Sequence, residues 1–172
     1  MTHPRSFSFA LFSVVALAAR ATATEPSCAG SPFVNAIRPR AIESSAGVAV
    51  GPQIFDVAAH PRGFVMMANN YGLLAYDGSS FRLTRLGRAG TVLSVAVSAD
   101  GHIYAGGPRT FGEVVEDPSG DLLYRAFDAG MPPEQVFSDV WQTFAAPDGT
   151  AYFRAPERVF AVKTGAAVAV PG

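Results

Sequence analysis

The sequence predicts an all-β fold: a partial β-propeller of about three four-stranded antiparallel blades, placed after a signal-peptide helix. Three observations predict it. From residue 53 to residue 170, short apolar runs rich in β-branched and aromatic residues alternate with glycine-bearing turns. Gly63, Gly101 and Gly149 occupy equivalent places in three successive phrases, 38 and 48 residues apart. A spacing of roughly 40–50 residues with four strands in each period is the mark of propeller blades. Finally, no stretch beyond the N-terminal segment reads as a long helix. A single β-sandwich with regular hairpins also fits the strand pattern.

The N-terminus reads as a secretory signal peptide over residues 1–23. Arg5 closes a short charged region, residues 6–19 are apolar and uncharged, and Ala21-Thr22-Ala23 supplies the small-x-small pattern of a cleavage site. Arg20 ends the apolar run short of the roughly 20 residues that a membrane helix needs. The product is expected to be exported, to the periplasm. Removing the segment takes Arg5 and Arg20 with it, leaving 11 basic against 14 acidic residues. That balance gives no support to a nucleic-acid surface, which needs a basic patch. Cys28 is the one cysteine, so no intrachain disulfide forms. The residues before it, Glu25-Pro26-Ser27, do not make a lipidation signal, and Cys28 reads as a free thiol.

Residues 24–52 are rich in Ala, Pro, Ser and Gly without a sustained period, and read as an irregular leader or linker. The first blade is expected over residues 53–86. Its strands are 53–58, 64–68, 73–76 and 81–85, and its turns are at His60-Pro61-Arg62-Gly63, Asn69-Asn70-Tyr71-Gly72 and Asp77-Gly78. The second is expected over 91–128, with strands at 92–97, 103–105, 112–116 and 122–127. Here Gly106-Gly107-Pro108 is expected to break or bend the sheet, because neither glycine nor proline suits a strand interior. The third blade spans 136–170, with strands at 140–145, 151–154, 158–162 and 167–170.

The segment from Ile54 to Phe81, IFDVAAHPRGFVMMANNYGLLAYDGSSF, resembles an opening blade of the two-component regulator propeller family. Its close, Gly72-Leu73-Leu74-Ala75-Tyr76-Asp77-Gly78-Ser79-Ser80-Phe81, matches that family's G-L-x-x-Y-D-G-x-x-F phrase. Its middle departs, with Met66-Met67-Ala68-Asn69 where the family carries an aromatic and a Gly-Thr pair. The stretches 103–124 and 137–153, the latter with Asp139-Val140-Trp141 and Pro147-Asp148-Gly149, are similar to following blades. The resemblance covers about residues 53–165. It implies a periplasmic sensor domain whose full-length relatives carry more blades, a small β-sandwich, a membrane helix and a cytoplasmic histidine kinase or diguanylate cyclase. On this reading the chain is the N-terminal fragment of such a sensor. Three blades fall short of the roughly 4–8 that close a ring. Open sheet edges are then expected to pair with the remaining blades or with other copies.

No residue pattern calls for catalysis, a metal or a cofactor. His60 and His102 sit in turns without metal-ligand spacing. Asp100-Gly101 and Asp148-Gly149 lack the alternating oxygen ligands of a calcium loop. Glu113 and Glu116 are three apart, so on a strand they face opposite sides and make a poor acid/base pair. Neither a Gly-x-Ser-x-Gly elbow nor a P-loop lysine is present. Polar or aromatic residues at blade turns are the candidates for ligand binding, since such loops converge at a channel mouth. These are Asn70, Tyr71, Arg109 and Phe111, with Arg109 the best exposed. Trp141 lies in an apolar strand and is expected in the core.

The function expected from these readings is a non-catalytic sensor segment for an unidentified small-molecule or carbohydrate ligand. An exported propeller enzyme of lyase or glycosidase type would require a catalytic cluster at the channel mouth. A β-scaffold interaction protein would use the open edges for assembly.

Overall fold

In the computed structural model, which describes residues 50–171 apart from 87–89, 133–134 and 164, the chain forms three four-stranded antiparallel sheets. The expected signal peptide, Cys28 and most of the expected leader lie outside the described residues. The first sheet runs β1 (Ile54–Ala59), β2 (Val65–Asn69), β3 (Gly72–Tyr76) and β4 (Phe81–Thr84). The second runs β5 (Ser94–Val97), β6 (Ile103–Gly107), β7 (Thr110–Glu116) and β8 (Leu122–Ala126). The third runs β9 (Gln142–Ala145), β10 (Ala151–Arg154), β11 (Val159–Lys163) and β12 (Ala166–Ala169). Each strand pairs with the next in sequence, so every sheet is an up-and-down meander. The first strands of the sheets stand side by side, β1 against β5 and β5 against β9. These are blades of a partial β-propeller arranged along a common inner line.

The turn between the first and second strands is built the same way in all three blades, and the β7–β8 turn at Asp117–Asp121 repeats it. His60 N donates to Phe64 O and Gly63 N to His60 O; Ser98 N donates to His102 O and Gly101 N to Ser98 O; Ala146 N donates to Thr150 O and Gly149 N to Ala146 O, all at 2.8–3.1 Å. The three glycines have φ of 89°, 91° and 82°, which a side chain would resist. The spacing that identifies the repeat in the sequence is therefore a repeated hydrogen-bond pattern.

The core lies between blades. Met66, Ala68 and Ala75 of the first blade pack with Val95, Ile103, Ala105 and Val114 of the second, joined by Leu86 and Val92 from the connecting segment. Tyr104 and Phe111 of the second blade pack with Ala151, Phe153, Phe160 and Val162 of the third, joined by Phe137 and Val140. A third cluster, Val50, Leu74 and Phe81, covers the other face of the first blade. Residue 50, at the end of the expected irregular leader, is thus part of the folded body.

Three sequence expectations change. Gly106 and Gly107 do not break the sheet: both are buried residues of β6. A Cβ on Gly106 would lie 2.5 Å from Val140 Cγ1, and one on Gly107 would lie 2.5 Å from Thr91 O. Glycine is needed there for close approach, not for a bend. The reversal comes one step later, at Pro108-Arg109, between the paired residues Gly107 and Thr110. Trp141 is half exposed: it lies just before β9, which starts at Gln142, and not inside a strand. Phe111 is wholly buried, for the reason given below.

Candidate functional site

Asn70 and Tyr71 form the two-residue link between β2 and β3, and Pro108-Arg109 the link between β6 and β7. Both links lie at the end of the blades opposite the turns that join β1 to β2 and β5 to β6. Thr91, in the segment entering the second blade, ties them together. Its Oγ1 donates to Asn70 O at 3.0 Å, and its carbonyl lies against Gly107. An isolated bridge from Pro108 to Asp139 continues the line toward the third blade.

The Asn70-Tyr71 link is held from below by Asn69, which the sequence hides inside a turn. Asn69 is fully buried. Its Nδ2 donates to Gly51 O at 2.8 Å and to Gln53 O at 2.7 Å, and its Oδ1 accepts from Tyr71 N at 2.9 Å. Its own carbonyl accepts from Val92 N at 3.0 Å. The buried side-chain amide of Asn69 is thus paired at both its oxygen and its nitrogen. The ring of Tyr71 lies over Gly51, where a Cβ would stand 2.9 Å from Cε2, and is 44% exposed.

Arg109 is exposed and has φ of +55°, a left-handed conformation rare for a side chain with a Cβ. It lines a cleft of about 150 Å³ with Asp128, Met131, Gln135, Val136 and Phe137. Asp128 is anchored there. Its Oδ1 accepts from Thr110 Oγ1 at 2.8 Å and from Phe111 N at 3.0 Å. With the Thr110 proton spent on Asp128, the Tyr124 hydroxyl, 2.8 Å from Thr110 Oγ1, donates to it. Burial, with the Asp128 charge adding to it, pushes the Tyr124 hydroxyl far above the ordinary tyrosine range and keeps that donor protonated.

Phe111, expected at the mouth, points inward. Its ring stacks on Phe160 at 4.8 Å and packs against Phe153 at 4.7 Å and Phe137 at 5.4 Å. The alternation of a strand puts Thr110 and Phe111 on opposite faces, and the aromatic goes to the interblade core. Asn70, Tyr71 and Arg109 are therefore the members of the expected set that face solvent.

The opposite end holds a second cleft, of about 200 Å³, between the first and second blades. Arg62 and Arg82 flank the Phe64 ring with their guanidinium carbons 5.4 and 5.9 Å from its centre, and Arg62 pairs with Glu116 at 2.8 Å. His60 forms its wall. The ring is buried, its Nδ1 accepts from Arg62 N at 3.1 Å, and its Nε2, which then carries the proton, donates to Gly101 O at 3.0 Å. His60 is thus a clasp between blades and not a free turn residue. A His-Pro dipeptide carries no signal of that role. Among the described residues, no three His, Cys, Asp or Glu side chains gather as a metal cage.

No known family's sequence profile matches the chain, and no curated protein matches it. Solved structures do. The chain is similar to the extracellular domain of BT3049, named as a hybrid two-component system of B. thetaiotaomicron. The TM-score is 0.54 at 15% identity, over 72% of this chain and 19% of that one. It is similar to the extracellular domain of BT4673, named likewise, with TM-score 0.46 at 16% identity over 63% of this chain and 15% of that one. It is also similar to DrR130, named as a gluconolactonase, with TM-score 0.44 at 16% identity over 76% and 46%. The first likeness shows the fold alone, and the other two bear no weight. The chain spans about a fifth of the length of the BT3049 domain.

Proposed function

We propose that the chain is the N-terminal part of a non-catalytic, extracytoplasmic sensor that binds a small molecule or carbohydrate at the end of the blades carrying Asn70, Tyr71 and Arg109. The carrying observation is the join at Thr91. It sets two exposed, functionally suited links, on different blades, at one end of a rigid scaffold. An exposed tyrosine ring and an exposed guanidinium supply a stacking face and a fork of donors, which suits a hydroxylated or anionic ligand. The fold is one that the extracellular domain of BT3049 also uses. On this reading the parent is a periplasm-facing sensor with a histidine kinase or diguanylate cyclase output. Ligand engagement across the Thr91 join biases how the first two blades pack, and that bias is the signal.

The test is a thermal-shift screen of the exported chain against oligosaccharides and small organic acids, repeated with Arg109→Ala and Tyr71→Ala. A ligand that raises the melting temperature of the parent chain, and does so about tenfold less tightly in each variant, supports the reading. Product formation from a screened compound replaces it with the enzyme alternative.

A further inference from the structure

The first and second blades carry an arginine at the same place in the sheet, and one of the two lacks its carboxylate. In the second blade Tyr104 pairs with Glu113, and Glu113 with Arg125, so the three stand in a row on one face of β6, β7 and β8. Arg125 Nη1 lies 3.0 Å from Glu113 Oε1 along that row. In the first blade the same row is Met66, Ala75 and Arg82. Alanine stands where the second blade has its glutamate. Among the described residues, no carboxylate pairs with Arg82. Its Nη1 donates to Gly120 O at 3.1 Å, which leaves most of its five-donor fork over. A half-buried guanidinium without an anion is a costly arrangement unless something else supplies one.

The short side chain of Ala75 also leaves room. Ala75 and Arg82 line the cleft of about 200 Å³ between the first and second blades, together with the buried Met66, Ile103 and Val114. The Phe64 ring lies in the same cleft, close to both the Arg62 and Arg82 guanidinium groups. The acidic residues of the wall are engaged elsewhere: Glu116 with Arg62 at 2.8 Å, and Asp100 with the Ser98 hydroxyl and, at 3.5 Å, with His102 Nε2. We propose that this cleft binds a small carboxylate with an apolar body, whose head group takes beside Arg82 the place that Glu113 fills beside Arg125. The body lies against Met66, Ile103, Val114 and the Phe64 ring. The volume is below the roughly 300–1,000 Å³ of pockets for drug-sized ligands, so the body is one ring or a short chain. An uncharged compound of the same shape leaves Arg82 without its anion, and a cation meets two guanidinium groups, so the charge of the head group sets the selectivity. The cleft opens beside the turns at His60 and Gly101, away from Asn70, Tyr71 and Arg109. It is a second site, and it stands apart from the sensor reading.

The experiment titrates phenylacetate into the full chain, with the uncharged phenylacetamide as its counterpart. Affinity is read by calorimetry, and the place of binding by the NMR shifts of the Met66, Ile103 and Val114 methyl groups. The expected result is saturable binding of phenylacetate that moves those methyl signals. Phenylacetamide, and phenylacetate with Arg82→Gln, are expected to bind about tenfold or more weakly, the size of a lost charged hydrogen bond. Ala75→Glu supplies the carboxylate from the chain itself and is expected to abolish phenylacetate binding in the folded protein. Arg82→Gln decides the matter if Ala75→Glu does not fold, since its amide keeps a donor for Gly120 O. The proposal is overturned by the absence of saturable phenylacetate binding, or by equal affinity for the acid and the amide. Undiminished binding in Arg82→Gln or in folded Ala75→Glu overturns it too, as do shifts that leave those three residues unmoved.

Discussion

Val140 occupies the space where a side chain on Gly106 would stand: a Cβ there would be 2.5 Å from Val140 Cγ1 and 2.7 Å from Ser94 Oγ. Ser94 is itself committed, bonding Val140 O at 3.0 Å and Thr143 Oγ1 at 2.7 Å. The contact fastens the second blade to the segment that enters the third. Gly106→Ala is expected to destabilise the fold by about 1–3 kcal/mol through overpacking. Val140→Ala in the same chain should recover part of the loss, as a double-mutant cycle by chemical denaturation would show.

His60 links the first two blades through Gly101 O. His60→Ala leaves the Gly101 carbonyl and the Arg62 N–H without these partners in a largely buried place. The expected cost is about 1–3 kcal/mol. Faster amide exchange in the 60–64 and 98–102 turns, with the third blade unaffected, would place the damage at the clasp. Unchanged exchange would refute it.

Arg109 separates stability from binding. Its φ of +55° costs the fold about 1 kcal/mol that a glycine does not incur. Arg109→Gly is expected to raise stability by about that amount while weakening ligand binding as much as Arg109→Ala does. A variant that gains stability and keeps full affinity would remove Arg109 from the site.

Asp77 accepts from Ser80 N at 2.8 Å, from Ser79 N at 2.8 Å, and from the hydroxyls of Ser79 and Ser80 at 2.9 Å. These bonds, the Ser80 amide first, hold its carboxyl far below the usual carboxylate range. A depressed folded value means stabilisation that is present above the unfolded value of 3.8 and lost as pH falls through the folded one. Asp117 and Asp148 are lowered in the same direction, led by the Ser119 hydroxyl and the Thr150 amide. The chain should therefore lose stability below about pH 4. Asp77→Asn should flatten that part of the profile, measured as melting temperature against pH.

The fold was legible because its turns are chemically explicit. Pro-Arg-Gly, Ala-Asp-Gly and Pro-Asp-Gly phrases at equal places announce three hairpins, and the strands between them need only an apolar alternation. The site was less so. Arg109 and Asn70-Tyr71 stand in turns and were accessible to that logic. Phe111, one residue along a strand from Thr110, was not, because a one-residue step exchanges solvent for core. Gly106-Gly107 misled for a related reason. Glycine marks a bend when its own backbone requires it and a flat strand when a neighbour does, and the neighbours Val140 and Thr91 lie far off in sequence. His60 and Asn69 act through partners on another strand or segment, which no local pattern announces. Trp141 stands one residue before β9, so the strand expected to bury it begins just after it.

The chain contains a single tryptophan, and it is Trp141, half exposed where the chain enters β9. The molecule therefore carries a built-in optical reporter at the rim of its third blade. A blue shift of the emission maximum would register burial of that rim without any label. Quenching by iodide would fall in step with it, and both signals can be followed in the protein at micromolar concentration, even while it is still part of a mixture with weakly emitting, tyrosine-only partners.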